Sequence, residues 1–229
     1  MVFAHHTNGA PVIKIQSSER IDSLNNGYVY MKSLRYYRDL ERENPGNVDV
    51  GDEYEAQVHI NSGYILIPEL NHVEALRDQL IHTNIDNSFV FCLLSIPEDT
   101  SSFTFTDVQK EKLSSFGDSA LVITDRDEFV KRLVSKLEGD GYAVFYGHVR
   151  YYDPTVDNVL HFVDLITNGI ASIAFRKRQK YSYQQEFRIV AVKNETQQDN
   201  ISVNIGDISE ISKSITLDKL LNATFIAQK

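Results

Sequence analysis

The segment from Phe89 to Ile96 is a continuous apolar run, and it limits the possible folds more than any other feature of the sequence. A short apolar run without alternation is typical of a strand that is buried on both faces. We therefore predict that this segment is a central strand of a sheet. Further extended segments are predicted at 12–15, 28–31, 54–68 with a turn at 61–63, 120–123, 142–152 with a break at Gly147, 183–192, 201–205 and 208–215.

Helices are predicted where capping signals precede apolar residues at helical spacing. Asp125 precedes the clearest of them, in which Phe129, Val130 and Leu133 share one face. Residues 106–109 form a capping box, and Gly117 supplies a stop signal. The other helical segments are predicted at 17–25, 33–41, 156–166 and 217–221, together with the ambiguous segment 70–83, and residues 43–53 are predicted to form a loop.

The order of these segments indicates the fold class. Strands and helices mix without regular alternation, and several strands follow one another directly. This order favours an α+β fold over a doubly wound parallel sheet. The length of 229 residues and the lack of a long linker predict one domain over residues 1–229, with a flexible segment at 1–11.

The sequence lacks the signals of a secreted or membrane protein. Residues 1–11 have no apolar core of a signal peptide, and no apolar run reaches the roughly 18 residues of a membrane-spanning helix. Cys92 is the single cysteine, so no internal disulfide can form and a reducing compartment is expected. We therefore predict a cytoplasmic protein.

The charges are acidic in sum and unevenly distributed. Lys and Arg number 23 and Asp and Glu number 32, which gives a net charge of −9 and argues against a broad duplex-binding surface. Residues 176–180 nevertheless hold four cations and no acid, whereas residues 39–55 hold seven acids and one cation. An anionic cofactor or a single nucleic acid strand therefore remains compatible with the basic segment.

The strand predicted at 183–192 holds the main candidate for chemistry. Alternate side chains of a strand share a face, which brings Gln184, Glu186 and Arg188 together. A carboxylate beside an amide and cations suits recognition of a ribose hydroxyl and a diphosphate, and it stabilises an oxocarbenium-like transition state. The alternative is a solvated strand face with a weak Glu–Arg pair. The face opposite is predicted to enter the core through Phe187, Ile189 and Ala191.

A second candidate site lies in residues 25–38, where four tyrosines and three cations occur within eleven residues. Aromatic rings beside cations can stack a nicotinamide or an adenine and can hold phosphates. The alternative is that Tyr30 and Tyr37 are core residues of an amphipathic strand and helix.

Other chemistries find less support. The acids Asp49, Asp52, Glu53 and Glu55 could bind a hard cation, but they lack the spacing of a calcium loop, so a solvated loop is predicted. The seven histidines show no zinc-ligand spacing, and Cys92 within the apolar run is predicted to be a buried thiol. The sequence contains no Gly-x-Gly-x-x-Gly, Walker or Gly-x-Ser-x-Gly motif.

Three motifs resemble a loosely defined family of uncharacterised bacterial and phage proteins. They are LNNGYVY at 24–30 with the Tyr-rich segment that follows, FVFC at 89–92, and K-Y-x-Y-x-x-E-x-R at 180–188. That family is in turn similar to small ADP-ribosyltransferase-like folds, which include DNA-modifying toxins. The resemblance spans most of the chain. It implies an α+β domain with a split, mostly antiparallel sheet flanked by helices.

The resemblance also implies site residues. Glu186 would be the catalytic glutamate, and Gln184 would be the acceptor-orienting residue two positions before it. The tyrosines of the NAD pocket would line its nicotinamide side, and the cations would contact phosphates. The residues implied for the NAD pocket are Lys14, Gln16, Arg20, Tyr28, Tyr30 and Arg35.

We therefore expect a transferase that moves ADP-ribose from NAD to a nucleic acid or a protein, as a toxin or a phage–host conflict effector. One alternative is a non-catalytic module that holds a nucleotide, a nucleic acid strand or a partner protein, and another is an NAD-cleaving enzyme. A cleft with Glu186 on one wall and Tyr28 or Tyr30 on the other would favour an enzyme. The candidate nucleic-acid-binding residues are Arg176, Lys177, Arg178 and Lys180.

Overall fold

The computed structural model describes residues 2–5, 9–43, 52, 55, 57–67, 72–82, 88–98, 100–153, 170–193 and 198–227. The strands are β1 (Val2–His5), β2 (Val12–Gln16), β3 (Tyr28–Ser33), β4 (Gln57–Ile67), β5 (His72–His82), β6 (Phe89–Ser95), β7 (Ser102–Thr104), β8 (Ser119–Ile123), β9 (Ala143–His148), β10 (Arg150–Tyr152), β11 (Arg176–Arg178), β12 (Glu186–Val192), β13 (Asn200–Asn204), β14 (Ser212–Thr216) and β15 (Thr224–Ala227). The α-helices are α1 (Ser18–Asn25), α2 (Leu34–Glu43), α3 (Asp107–Leu113), α4 (Arg126–Gly139) and α5 (Leu217–Leu221), and short 3-10 helices cover Ser114–Phe116, Ile170–Phe175 and Gln179–Gln184.

Strand β6 is the centre of an eight-stranded antiparallel sheet, which confirms the interpretation of the Phe89–Ile96 run. One edge of β6 pairs continuously with β12, and β9 follows β12. The opposite edge is shared by β3 and β2, which lead outward to β13 and to β8 and β14. The fold is therefore mixed α and β with a mostly antiparallel sheet, as predicted. Parallel pairs occur only between β1 and β15 and between β10 and β11 within the described strands.

The sheet divides along the edge of β6 that β2 and β3 share. Strand β3 pairs with Phe89 and Val90, whereas β2 pairs with Leu94 and Ser95. The backbone of β6 between these two pairings faces the space where β2 and β3 diverge. This division forms a gap within an otherwise continuous sheet, and the candidate functional site lies beside it.

Each face of the sheet is covered by its own apolar cluster. Helices α1 and α4 pack on the face that includes Phe91 and Ile189, which confirms that alternate residues of β12 enter the core. The small sheet β1–β15–β7 and helices α3 and α5 supply the cluster on the other side, around Ile13 and Leu94. A third cluster joins Leu34 of α2 to β6, β12 and the 3-10 helix at Ile170–Phe175. Among the described residues no helix is long and apolar enough to cross a membrane.

Local capping signals predicted several helices correctly. The Thr106 side chain accepts from the Gln109 N–H, and the Gln109 side chain accepts from the Thr106 N–H, so the capping box is present. Asp125 caps α4 by accepting from the N–H of Glu128. The helices predicted at 17–25 and 33–41 also form, with bounds that differ by one or two residues, and the helix predicted at 217–221 forms with the predicted bounds.

Other expectations are corrected. Residues 72–82 form β5 and not a helix, because pairing with β4 along eleven residues overrides the helical spacing of its apolar residues. No turn interrupts β4 at 61–63, and the predicted break at Gly147 occurs instead at Val149. Residues 2–5, predicted to be flexible, pair with β15. The helix predicted at 156–166 and most of the loop predicted at 43–53 lie outside the described residues.

Candidate functional site

A cavity of about 100 Å³ opens beside the division of the sheet. Glu186 and Arg188 project into it from β12, and Lys14 and Gln16 border it from β2. A volume of this size holds several water molecules or one small polar group. Its remaining charged or amide lining residues are Glu55, Lys177 and Gln184.

A tight reversal of the chain brings three polar residues of the 176–186 segment together. Strand β11 runs into the 3-10 helix Gln179–Gln184, and Gln185 then adopts a left-handed backbone conformation with φ of 43°. This conformation is strained for a residue with a side chain and starts β12 at Glu186. Gln184 therefore lies before the strand, which corrects the expectation that β12 begins at Tyr183. The reversal nevertheless returns Gln184 and Glu186 to Lys177.

Lys177 bridges the amide and the carboxylate. Its Nζ donates to Gln184 Oε1 at 2.7 Å and to Glu186 Oε1 at 2.5 Å. The Gln184 amide nitrogen donates to the Tyr183 hydroxyl at 3.1 Å. From the other side, the backbone N–H of Glu186 donates to the Tyr151 hydroxyl at 2.8 Å. Since Lys177, Gln184 and Glu186 are all buried, these bonds hold the two acceptor side chains in one arrangement.

Arg188 links Glu186 to a second carboxylate. Its Nε donates to Glu186 Oε2 at 2.6 Å, and its two terminal nitrogens donate to Glu55 at 2.6 and 3.1 Å. One of those nitrogens also donates to the carbonyl oxygen of Ala174 at 2.6 Å. Each carboxylate oxygen of Glu186 therefore accepts from one cation, and a carboxylate oxygen has the capacity to accept a second hydrogen bond.

The two described acids between α2 and β4, Asp52 and Glu55, are buried. Glu55 pairs with Arg188, and Asp52 pairs with Arg178 at 2.7 Å, and both acids are about 2% exposed. The expectation of a solvated loop is therefore corrected for these two positions. The physical reason is charge complementarity, because the basic segment and Arg188 supply buried cations that a carboxylate can pair with.

The cations around Glu186 control its protonation. Burial raises the pKa of its carboxyl, but the charges and hydrogen bonds of Arg188 and Lys177 outweigh burial and hold the pKa well below its usual range. For Glu55 burial prevails over the attraction of Arg188, and the pKa is raised. The two carboxyls therefore differ in the direction of their pKa shifts although they share one guanidinium. Glu186 is therefore ionised at neutral pH.

Lys14 occupies the division of the sheet. Its Nζ donates to the carbonyl oxygen of Cys92 at 2.8 Å and lies 4.6 Å from the centroid of the Phe91 ring. Burial lowers the pKa of Lys14. The Cys92 thiol borders the same cavity, and burial raises the pKa of this thiol to about 12. The thiolate form of Cys92 is therefore scarce at neutral pH. The side chain is half-buried, which corrects the expectation of a buried thiol.

The cavity continues into an open groove of about 750 Å³. Lys14, Gln16, Tyr37 and Phe116 line both spaces, so the cavity and the groove are contiguous. Its charged lining residues among the described part of the chain are cations only. These are Lys14, Arg20 and Lys32.

Exposed tyrosines form the outer part of the groove. Tyr28 and Tyr30 project from one face of β3 and are 53% and 41% exposed. The Nζ of Lys32 lies 4.1 Å from the centroid of the Tyr36 ring and 5.5 Å from that of Tyr30. Tyr30 is therefore not a core residue, whereas Tyr37 lies at the junction with the cavity. The groove thus presents aromatic faces and positive charge together.

The structure brings most of the predicted site residues together. Glu186 lines the cavity, whereas Tyr28 and Tyr30 line the contiguous groove, so they do not face each other across one cleft. Arg35 is the exception, since it lines neither space and pairs with Asp199 at 2.7 Å. The residues placed along the cavity and groove are Lys14, Gln16, Arg20, Tyr28, Tyr30, Gln184 and Glu186.

The basic segment does not form one exposed nucleic-acid-binding surface. Lys177 is buried against Glu186, and Arg178 pairs with the buried Asp52. Arg176 is half-buried, and only Lys180 of the four cations is exposed, with its Nζ 4.7 Å from the Tyr181 ring centroid. The expectation is corrected because the consecutive residues Lys177 and Arg178 each pair with a buried carboxylate.

Sequence reasoning missed three contributors to the site. Glu55 and Tyr151 contact it from distant parts of the chain, and Tyr37 joins the cavity to the groove. Their spacing carries no local signal, because each reaches the site through tertiary packing. The seven acids at 39–55 and the four cations at 176–180 are a signal of charge pairing that fits the pair of Asp52 and Arg178, whereas the partner of Glu55, Arg188, lies outside the basic segment.

No group of three or more histidine, cysteine or acidic residues within the described residues has the arrangement to hold a metal ion. Comparison of the chain with protein-family models, with curated proteins and with solved structures gives no match. The functional assignment therefore depends on the geometry of the cavity and the groove.

Proposed function

We propose that this protein binds NAD along the groove and transfers its ADP-ribose group to a nucleic acid or protein acceptor. The observation that supports this most is the continuity of two unlike spaces. The buried cavity holds an ionised Glu186, and the open groove holds aromatic rings and cations without a charged acid among its described lining. A dinucleotide would use both spaces. Its ring systems and its diphosphate would lie along the groove, and the ribose next to nicotinamide would meet Glu186 at the cavity.

The residues of the groove fit such a ligand. Lys14, Arg20 and Lys32 would offset the charge of a diphosphate, and Tyr28 and Tyr30 present exposed faces on which a planar ring can stack. The fit is notable in a chain with a net charge of −9, because the groove differs in sign from the average surface.

Glu186 would act at the ribose next to nicotinamide. A free lone pair of its carboxylate would accept a hydrogen bond from a ribose hydroxyl, and its negative charge would stabilise positive charge that develops on the ribose as the glycosidic bond breaks. Bound NAD would supply the activated glycosidic bond and nicotinamide as the leaving group. Burial strengthens this electrostatic effect, since few water molecules can screen it.

The test is incubation with NAD labelled in its adenylate part, using mixed nucleic acid and protein acceptors. Wild type should label an acceptor, and Glu186→Gln should lower labelling by about a hundredfold or more, because it removes the charge and keeps the shape. Glu138→Gln, at an exposed position in the last turn of α4, is the matched control and should label normally. Equal labelling by wild type and Glu186→Gln would overturn the proposal. Free ADP-ribose without labelled acceptor would identify an NAD-cleaving enzyme instead.

A second candidate function is a non-catalytic nucleotide-binding module. One observation favours it: both oxygens of Glu186 already accept hydrogen bonds, from Lys177 and from Arg188. Calorimetric titration with ADP-ribose and NAD separates the candidates. Binding of NAD without any turnover would support the module, whereas turnover that depends on Glu186 would support the transferase.

A further inference from the structure

Lys177 directs its side-chain hydrogen bonds to Glu186 and to Gln184 beside it. Arg188 also bonds Glu186, but it divides its donors among Glu186, Glu55 and the Ala174 carbonyl. Both acceptors of Lys177 are residues proposed to meet the ligand. The difference suggests separate roles for the two cations.

The surroundings of Lys177 fix the position of its ammonium. The residue is about 4% exposed, and its Nζ lies 4.7 Å from the centroid of the Tyr181 ring. An ammonium has three donors. Two of them meet Gln184 and Glu186, so the ammonium is held by two acceptors and an aromatic face. Residue 177 also lies opposite Tyr151 in the β10–β11 pair, and Tyr151 accepts from the Glu186 N–H.

This arrangement determines how both acceptor side chains are presented. Because Gln184 Oε1 accepts from Lys177, its amide nitrogen is directed to the Tyr183 hydroxyl. Because Glu186 Oε1 accepts from Lys177 and Oε2 from Arg188, the carboxylate plane is held between two donors. Loss of Lys177 would remove a donor to the Gln184 amide oxygen and a donor to one oxygen of the Glu186 carboxylate.

We propose that Lys177 is a positioning residue, which holds the Glu186 carboxylate and the Gln184 amide in a single orientation toward the sugar hydroxyls of a bound nucleotide. This inference rests on the proposed function for its ligand, but the positioning itself can be measured without any ligand. It replaces the sequence-based expectation that Lys177 contacts nucleic acid.

The first experiment follows protonation of Glu186 by NMR in protein labelled with ¹³C at the glutamate carboxyls, with the resonance assigned from Glu186→Gln. In Lys177→Met we expect protonation to begin about one pH unit or more above its onset in wild type, since removal of a neighbouring opposite charge shifts a carboxyl by this amount. Lys177→Arg should stay close to wild type, because it keeps the charge. Lys136→Met, which removes a surface pair with Asp140, is the matched control and should leave Glu186 unchanged.

Should Lys177→Met fail to fold, Lys177→Gln provides the same test, because it keeps a donor and loses the charge. An onset of Glu186 protonation in the neutral variant equal to that of wild type would overturn the inference. An equal upward shift of the onset of Glu186 protonation in Lys136→Met and Lys177→Met would also overturn the inference, since the effect would then not be local.

The second experiment measures turnover of NAD. Lys177→Met should lower kcat by about tenfold or more with little change in KM, and Lys177→Arg should recover part of the loss. Equal kcat in Lys177→Met and wild type would overturn the positioning role. If wild type shows no turnover, the proposed function fails, and the NMR titration still decides whether Lys177 positions and ionises Glu186.

Discussion

The Nζ of Lys14 donates to the carbonyl oxygen of Cys92 at 2.8 Å, across the division between β2 and β3. In a continuous sheet the neighbouring strand would supply the partner for such a carbonyl. Here a side chain supplies it, because β2 and β3 pair with opposite ends of β6. The Cys92 carbonyl oxygen at the gap thus accepts a hydrogen bond from a cation that also lines the cavity and the groove. The same residue therefore links the stability of the divided sheet to the candidate site.

Replacement of Lys14 by Met should destabilise the protein by about 1–3 kcal/mol, because the Cys92 carbonyl loses its donor within a partly buried gap. The measurement is urea unfolding followed by far-ultraviolet circular dichroism. Lys213→Met, at an exposed position of β14, is the control and should change the free energy of unfolding by less than about 0.5 kcal/mol. Equal stability of the two variants would contradict the role of Lys14 in the gap.

Gly27 is required by backbone geometry at the turn between α1 and β3. Its φ is +90°, and a Cβ at this position would lie 2.0 Å from the carbonyl oxygen of Gly206. Gly27→Ala should therefore destabilise the protein by about 2 kcal/mol or more, from left-handed strain and from the displaced backbone. Thermal and urea unfolding measure the loss. Gly147→Ala is the control, since an added Cβ there meets no non-neighbouring atom within 4 Å. Equal unfolding midpoints of the two variants would contradict the requirement for glycine at position 27.

The parts of the fold that the sequence predicted correctly are those with local signals. The apolar run around Phe91, the Thr106 capping box and the Asp125 cap each act within a few residues, so their structures follow from their own segments. Strand β5 could not be predicted in this way, because its apolar spacing fits a helix and its pairing with β4 decides the outcome.

The site was predictable in part for the same reason. Glu186 and Gln184 could be predicted because they lie two positions apart, and the tyrosines of β3 because they cluster in the sequence. The contact between Lys177 and Glu186 depends on the reversal through the left-handed Gln185, which no propensity of glutamine indicates. The pairing of Glu55 with Arg188 joins positions 133 residues apart, so only the folded chain reveals it.

Stability should depend on the protonation of Glu186 in acid. The pKa of this carboxyl lies well below its usual value in the folded protein, so its ionised form stabilises the fold above the unfolded pKa. That stabilisation is lost as the pH falls from about 5 toward the folded pKa. Between about pH 5 and pH 3, wild type should lose about 2 kcal/mol more stability than Glu186→Gln. Urea unfolding at each pH measures the difference, and parallel pH profiles of the two proteins would contradict the shifted pKa.

Two ion pairs with different burial should respond differently to truncation. Glu55 and Arg188 are both about 2% exposed, whereas the pair of Arg35 and Asp199 lies at the surface. Glu55→Ala should cost about 3–5 kcal/mol, because it leaves part of a buried guanidinium without its partner. Asp199→Ala should cost less than about 1 kcal/mol, since water replaces the lost carboxylate. Denaturant titration compares them, and losses of similar size would contradict the buried pairing of Glu55.

Cys92 should react slowly with thiol reagents although it borders the cavity. Burial raises the pKa of its thiol to about 12, so the reactive thiolate is scarce at pH 8. Alkylation by iodoacetamide at pH 8 should therefore be at least about a hundredfold slower than that of a free cysteine peptide, and its rate should keep rising with pH through 10. Mass spectrometry of the intact protein follows the reaction, with Cys92→Ser as the control for other sites of alkylation. A rate that levels off near pH 8.5, as an ordinary thiol would show, contradicts the raised pKa.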